Sequence, residues 1–91
     1  MITAIVLMEV DPSLIPETAQ ALADLDDVSE VYSVTGEFDL VAIVRVGAHE
    51  RLADVVTGEI AKVDGIVRTE TLIAFRAYSR HDLESMFSLG A

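Results

Sequence analysis

The sequence predicts an α+β domain in which two helices pack on one face of a four-stranded antiparallel sheet. Four apolar runs have the composition of strands, and two segments with helical spacing separate the first run from the second and the third from the fourth. Strand, helix and strand therefore follow one another twice along the chain, which fits two split βαβ units.

The first predicted strand is Ile2–Val10, which is almost continuously apolar. Bulky side chains occupy both of its alternating faces, and a strand covered on both sides has this pattern. Asp11 and Pro12 end it. Pro16 suits the first turn of a helix, where its missing N–H costs nothing, and apolar residues continue at helical spacing as far as Leu25.

The second and third predicted strands are residues 28–35 and Leu40–Val46. The first contains strand-favouring residues such as Tyr32, and the second is interrupted only by Arg45. Gly36 lies between the two runs and can supply the positive φ that a strand-to-strand turn often requires.

A second helix is predicted from apolar residues at i, i+3, i+4, i+8 and i+11. Gly58 inside this helix costs about 1 kcal/mol relative to alanine, and Gly65 suits the position that follows a helix C-terminus. The residues that set the spacing are Leu52, Val55, Val56, Ile60 and Val63.

The fourth and longest predicted strand is residues 66–78, and a short C-terminal helix is expected after Ser79 with Leu83, Met86 and Phe87 on it. The whole order is that of the ferredoxin-like βαββαβ fold, with a single domain over residues 1–91. Because the strands are apolar on both sides, the sheet face without helices must also be covered. A sheet-to-sheet dimer would cover it.

Composition limits the partners of the chain. It has 91 residues, 52% of them hydrophobic, with 6 Lys and Arg against 16 Asp and Glu, for a net charge of −10. So much apolar surface on a small domain favours an oligomer. Nucleic-acid binding needs clustered basic charge. Direct binding to DNA or RNA is therefore not expected, nor is binding to acidic lipid surfaces.

The chain has no cysteine, which excludes disulfides, thiolate metal sites and cysteine nucleophiles. The first residues have no basic region of a signal peptide, and the longest apolar run is far too short to span a bilayer. A cytoplasmic protein without a membrane segment is expected.

The turn at residues 35–39 has more carboxylates than a turn needs. Glu37 and Asp39 stand beside several backbone N–H groups at one end of the sheet. This combination suits a zwitterionic ligand, since N–H groups bind its carboxylate and a carboxylate accepts from its ammonium. The alternative is a polar hairpin tip in which Asp39 satisfies local N–H groups.

Residues 31–40, followed after a helix by residues 63–71, resemble the effector-binding domain of the Lrp/AsnC transcription regulators. The two motifs that carry the resemblance are TG-x-x-D, at Thr35 to Asp39, and G-[IV]-x-[RK]-T-x-T, at Gly65 to Thr71. Their separation matches the family, and the resemblance covers about Ile2 to Ala77.

The resemblance implies a ferredoxin-like fold that dimerises through its sheet and assembles further, into tetramers to decamers. It also implies that an amino-acid effector binds between subunits. No cofactor and no metal are expected. The ligand-binding residues it implies are those of the loop and of the fourth strand, namely Thr35, Gly36, Glu37, Phe38, Asp39, Leu40, Thr69 and Thr71.

The resemblance has one departure. Family members usually carry an N-terminal helix-turn-helix, whereas the first residues here are already those of a strand. The chain is therefore expected to be a stand-alone effector domain, or a fragment of a longer regulator, that works with a full-length Lrp/AsnC regulator. Met1 favours the stand-alone form.

Several of these residues have ordinary structural alternatives. Thr69 and Thr71 share one face of a strand and suit a pocket lining or plain strand structure equally well. Tyr32 and Phe38 suit an apolar wall for a ligand side chain, or core and interface packing. Glu70, on the other face, is expected to pair with Arg45 or Arg68.

Two other functions remain open on the sequence. A small monooxygenase of the dimeric α/β-barrel type shares this fold, but His49 and His81 are isolated at predicted helix starts and no catalytic residue is identified. A structural adaptor that forms mixed rings and binds no ligand has the same sequence features as an effector domain.

Overall fold

The computed structural model describes residues 1–80 and contains the predicted βαββαβ order. The elements are β1 (Ile2–Val10), α1 (Ile15–Ala23), β2 (Val28–Ser33), β3 (Leu40–Val46), α2 (His49–Asp54) and β4 (Ile66–Ile73). The two helices are followed by strands as expected, and the four strands form one antiparallel sheet in the order β2-β3-β1-β4. The ferredoxin-like fold class is confirmed.

The core lies between the helices and the two central strands. Every second residue of β1 is buried, from Ala4 to Val10, and the partner residues on β3 that face the same way are also buried. Leu22 of α1 and Leu52 of α2 close this layer. The alternate residues of β1 and β3 face the other side, which no helix covers in the described chain, and we call that side the bare face.

The second helix is not a uniform α-helix. After α2 the backbone widens into a π-type turn at Val55–Glu59 and tightens into a 3-10 turn at Ile60–Lys62. Val55 and Ile60 are both fully buried although they are five residues apart. The wider turn brings both side chains onto the core side, which a regular turn of 3.6 residues would not do.

The turn before β4 packs against α1 without space for a side chain. Gly65 has φ +97°, and a Cβ there would collide with Thr18 Oγ1 and lie 3.2 Å from Leu14 Cβ. Thr18 is buried and donates its hydroxyl to the carbonyl of Asp64 at 2.7 Å. These contacts fix where β4 begins.

Two predicted boundaries are wrong. The strand at residues 28–35 ends at Ser33, and the strand at residues 66–78 ends at Ile73. The second error has a physical cause: β4 pairs with β1, and the Ala74 N–H already reaches the carbonyl of Thr3, near the start of β1. Beyond this point residues 1–80 offer β4 no partner strand. The residues of the predicted C-terminal helix that carry its apolar side chains, Leu83, Met86 and Phe87, lie outside the described residues.

Candidate functional site

The predicted site centres on the connection between β2 and β3. The Val34 N–H donates to the carbonyl of Asp39 at 3.0 Å and closes the connection. Gly36 has φ +110°, so the positive φ predicted for this glycine is confirmed. Thr35, Gly36 and Glu37 are exposed at the tip. The connection therefore presents a tight, accessible turn at one end of the sheet.

The Asp39 carboxylate holds this turn to the end of β1. Its Oδ2 accepts from the backbone N–H of Val10 at 2.9 Å, while its own N–H donates to the carbonyl of Met8 at 2.8 Å. The last pair of the β1–β3 ladder is Met8 with Leu40. The carboxylate thus accepts from an N–H just beyond the ladder, where β1 also has a bulge against β4.

Arg68 of β4 contacts the turn through its guanidinium. Its Nε lies 3.2 Å from Glu9 Oε2, and its Nη2 lies 3.2 Å from Glu37 Oε1. Its guanidinium also lies over the ring of Phe38, 4.8 Å from the centroid, which is cation–π geometry. The two carboxylates raise the pKa of Arg68, the hydrogen bond with Glu9 most strongly. The side chain stays cationic and links β1, β4 and the turn.

The strand threonines lie apart from the turn tip. Thr69 pairs with Met8 and Thr71 pairs with Val6, so both threonines lie on the helix side of the sheet. Glu9 and Arg68 share the opposite side with Leu7. The structure thus brings Glu37 and Phe38 together with Arg68 and joins Asp39 to the end of β1, but it does not bring the threonines onto the same face.

Of the other predicted site residues, Leu40 is fully buried in the core, so only its backbone is available to a ligand. Tyr32 is 49% exposed on the bare face, and its hydroxyl donates to Glu30. The expected partner of Glu70 is wrong, because Arg45 pairs with Glu30 at 3.7 Å and Arg68 pairs with Glu9 and Glu37.

The bare face is an apolar surface next to the turn. Its central side chains are only half-buried in the single chain, and Leu72 of β4 is 46% exposed. By strand pairing, the apolar residues of this face are Ile5, Leu7, Tyr32, Val41, Ile43 and Leu72. A surface of this kind on a small domain needs a cover.

Two surface grooves lie away from the turn. One, of about 350 Å³, runs between α1 and the turn before β4 and includes Thr18, Lys62 and Asp64. The other, of about 240 Å³, lies near Met1, Arg45 and Phe75. Neither groove is lined by a predicted ligand-binding residue.

Within residues 1–80, no group of three or more metal-binding side chains comes together. The same residues contain no helix long and apolar enough to cross a membrane. His49 begins α2 and is exposed, and His81 lies outside the described residues.

Comparison with known proteins identifies the family. The model of the Lrp/AsnC ligand binding domain matches residues 3–83. The chain therefore belongs to the Lrp/AsnC ligand-binding domain family, as the two motifs predicted.

The sequence relatives are transcriptional regulators. The HTH-type transcriptional regulator LysM of Saccharolobus solfataricus is 32% identical over 78 residues, which cover 85% of this chain and 54% of the regulator. An uncharacterized HTH-type transcriptional regulator of Pyrococcus furiosus is 32% identical over 72 residues, which cover 79% of this chain and 49% of the regulator. The chain spans about half the length of these relatives.

Two solved structures are informative. A protein of Thermus thermophilus is 52% identical with a TM-score of 0.82, over 88% of this chain and 100% of that one. The feast or famine regulatory protein of M. tuberculosis, solved in complex with L-methionine, is 29% identical with a TM-score of 0.74, over 88% of this chain and 54% of that one.

Proposed function

We propose that this chain is a non-enzymatic module that binds an amino acid and regulates transcription through its assembly state. It acts in the cytoplasm as a homodimer or a higher oligomer, and it associates with a full-length Lrp/AsnC regulator. Membership of the Lrp/AsnC ligand-binding family supports this function, as does the L-methionine bound to a relative with the same fold.

The observation that carries the proposal is the position of the 35–39 turn beside the bare face. The apolar residues of that face are only half-buried in a single chain. Packing this face against the same face of a second copy would bury them, in an interface that maps onto itself across a two-fold axis. The turn then lies at the rim of the interface, where a bound ligand would contact both the turn and a neighbouring subunit.

The turn offers the chemistry that an amino acid needs. The exposed Thr35 hydroxyl and the backbone N–H groups near Gly36 are donors for an α-carboxylate, while Glu37 is an acceptor for an α-ammonium. Asp39 shapes the turn through Val10 and adds negative charge. In this proposal Phe38 and the backbone of Leu40 complete the loop part of the site.

Thr69 and Thr71 form the second part of the proposed site. They lie on β4, which is an edge strand, and Thr69 is exposed. Their hydroxyls would reach a ligand from the helix side of that edge. This part of the site does not depend on the turn. Amino-acid binding by Thr69→Val tests it separately.

Calorimetry with each of the twenty amino acids tests the proposal. We expect at least one to bind, and Thr35→Val to weaken that binding about 2- to 12-fold, as expected for one hydrogen bond worth about 0.5–1.5 kcal/mol. Thr57→Val is the matched control, because Thr57 is also exposed but lies in the helical segment and bonds to Ala53.

The outcomes separate the candidate functions. No binding by any amino acid would remove the sensor function and leave the structural adaptor. Equal binding by wild type and Thr35→Val would place the ligand away from the turn.

A further inference from the structure

We propose that Arg68 is the positioning residue that holds the 35–39 turn in its binding-competent shape. Its guanidinium contacts the turn at two consecutive residues, Glu37 and Phe38, and contacts β1 at Glu9. It therefore connects the tip of the turn to two strands of the sheet.

The tip has few other attachments. The hydrogen bonds from Val34 to Asp39 and from Val10 to Asp39 fasten the base of the turn. In the described part of the chain, the Glu37 carboxylate pairs with Arg68, and the half-buried Phe38 ring lies under the same guanidinium. Loss of Arg68 thus removes both of these side-chain contacts from the turn.

The charges around Arg68 make the position of the turn tip depend more strongly on this side chain. Glu9 and Glu37 each lie 3.2 Å from the same guanidinium, so Arg68 places a positive charge between two carboxylates. Without the cation, the two like charges would repel each other and favour separation of the tip from β1. Lysine would keep the charge, but one ammonium cannot span both carboxylates and lie flat on the Phe38 ring as a guanidinium does.

The consequence for binding rests on the proposed function. A turn that is already held in place loses less conformational freedom when a ligand binds, so its affinity is higher. Arg68 would therefore raise affinity by ordering the turn, without touching the ligand.

Hydrogen exchange followed by NMR tests the role without any ligand. In Arg68→Ala, we expect the amides of Val34 and Asp39, whose hydrogen bonds close the turn, to exchange about tenfold faster, because two ion pairs and a ring contact are lost. Amides in the centre of β1 should exchange as in wild type. Arg68→Lys should give an intermediate rate at the turn.

Arg45→Ala is the matched control. Arg45 is also an arginine of the bare face, its side chain is 42% exposed against 48% for Arg68, and it pairs with one carboxylate, Glu30. The Arg45→Ala variant should leave amide exchange at the turn unchanged. Unchanged exchange at the turn in Arg68→Ala, or an equal increase throughout β1, would overturn the proposal.

Calorimetry then connects the role to binding. With the amino acid that binds wild type, Arg68→Ala should weaken affinity several-fold and Arg45→Ala should not. If no amino acid binds wild type, the proposed function fails, yet the exchange experiment still decides the role of Arg68. If binding is unaffected while exchange rises, the turn is held by Arg68 but its order does not serve the ligand, which overturns the positioning role.

Discussion

The carboxylate of Asp39 accepts from the backbone N–H of Val10 at 2.9 Å, across 29 positions of sequence. Val10 is 2% exposed, so its N–H has little access to water. The aspartate of the TG-x-x-D motif therefore has a structural task of its own, which is to join the β2–β3 turn to the end of β1. Any effect of Asp39 on ligand binding has to be separated from this task.

Replacement of Asp39 by alanine should destabilise the fold by about 1–3 kcal/mol, because a buried N–H loses its acceptor. Asp39→Asn keeps an oxygen that can accept from the Val10 N–H and removes only the charge. It should therefore lower the free energy of unfolding clearly less than Asp39→Ala does. Urea unfolding of both variants measures the difference. Equal losses would mean that the charge of Asp39 matters and its hydrogen bond does not.

Gly65→Ala should lower the free energy of unfolding by about 1–3 kcal/mol, since a side chain at positive φ is strained and the new Cβ would collide with Thr18. Gly58→Ala is the comparison, because a Cβ there meets nothing within 4 Å. It should stabilise the helical segment by up to about 1 kcal/mol. Thermal unfolding of the two variants should shift in opposite directions, and a shift in the same direction would contradict the account of Gly65.

The Tyr32 hydroxyl should titrate above its ordinary pKa of 10.0, because it donates to Glu30 and lies near that negative charge. Glu30→Gln should lower the pKa of Tyr32 towards 10.0. Absorbance titration in a Tyr78→Phe background follows the single remaining phenol, and Glu17→Gln is a distant control. No change in Glu30→Gln would contradict the assigned cause.

The same pKa shift has a consequence for stability. Because the pKa of Tyr32 is raised by folding, its contribution is complete below the unfolded value of 10.0 and is lost as the pH rises through the folded value. Wild type should therefore lose more stability than Glu30→Gln between neutral and strongly alkaline pH. Denaturant unfolding at a series of pH values measures this difference.

The sheet and its helices could be predicted because they depend on local patterns. Alternating burial along β1 follows from its apolar residues, and Gly36 adopts the positive φ that a turn at that point requires. The end of β4 could not be predicted in this way. Residues 74–78 still look like a strand, but β1 offers them no further partner, and pairing length depends on tertiary structure.

The side-chain contacts of the candidate site could not be predicted from sequence patterns either. Sequence patterns offer Asp39 a ligand or local N–H groups as partners, whereas its partner in the structure, Val10, is distant in sequence. They offer Arg68 the neighbouring Glu70, whereas strand register places Arg68 between Glu9 and Glu37. The one sequence signal for Arg68 is its place in the second motif, three residues after Gly65.

We propose that the bare face joins two copies of the chain, and the molar mass of the protein in solution decides whether it does. Light scattering after size exclusion should give wild type at least twice the chain mass of 9.8 kDa. Leu7→Lys should give a monomer, because it places an unpaired ammonium in the centre of the interface. Ala23→Lys, on the exposed side of α1, should keep the wild-type mass. A wild-type monomer at every concentration, with and without amino acids, or an unchanged mass in Leu7→Lys, would contradict the account.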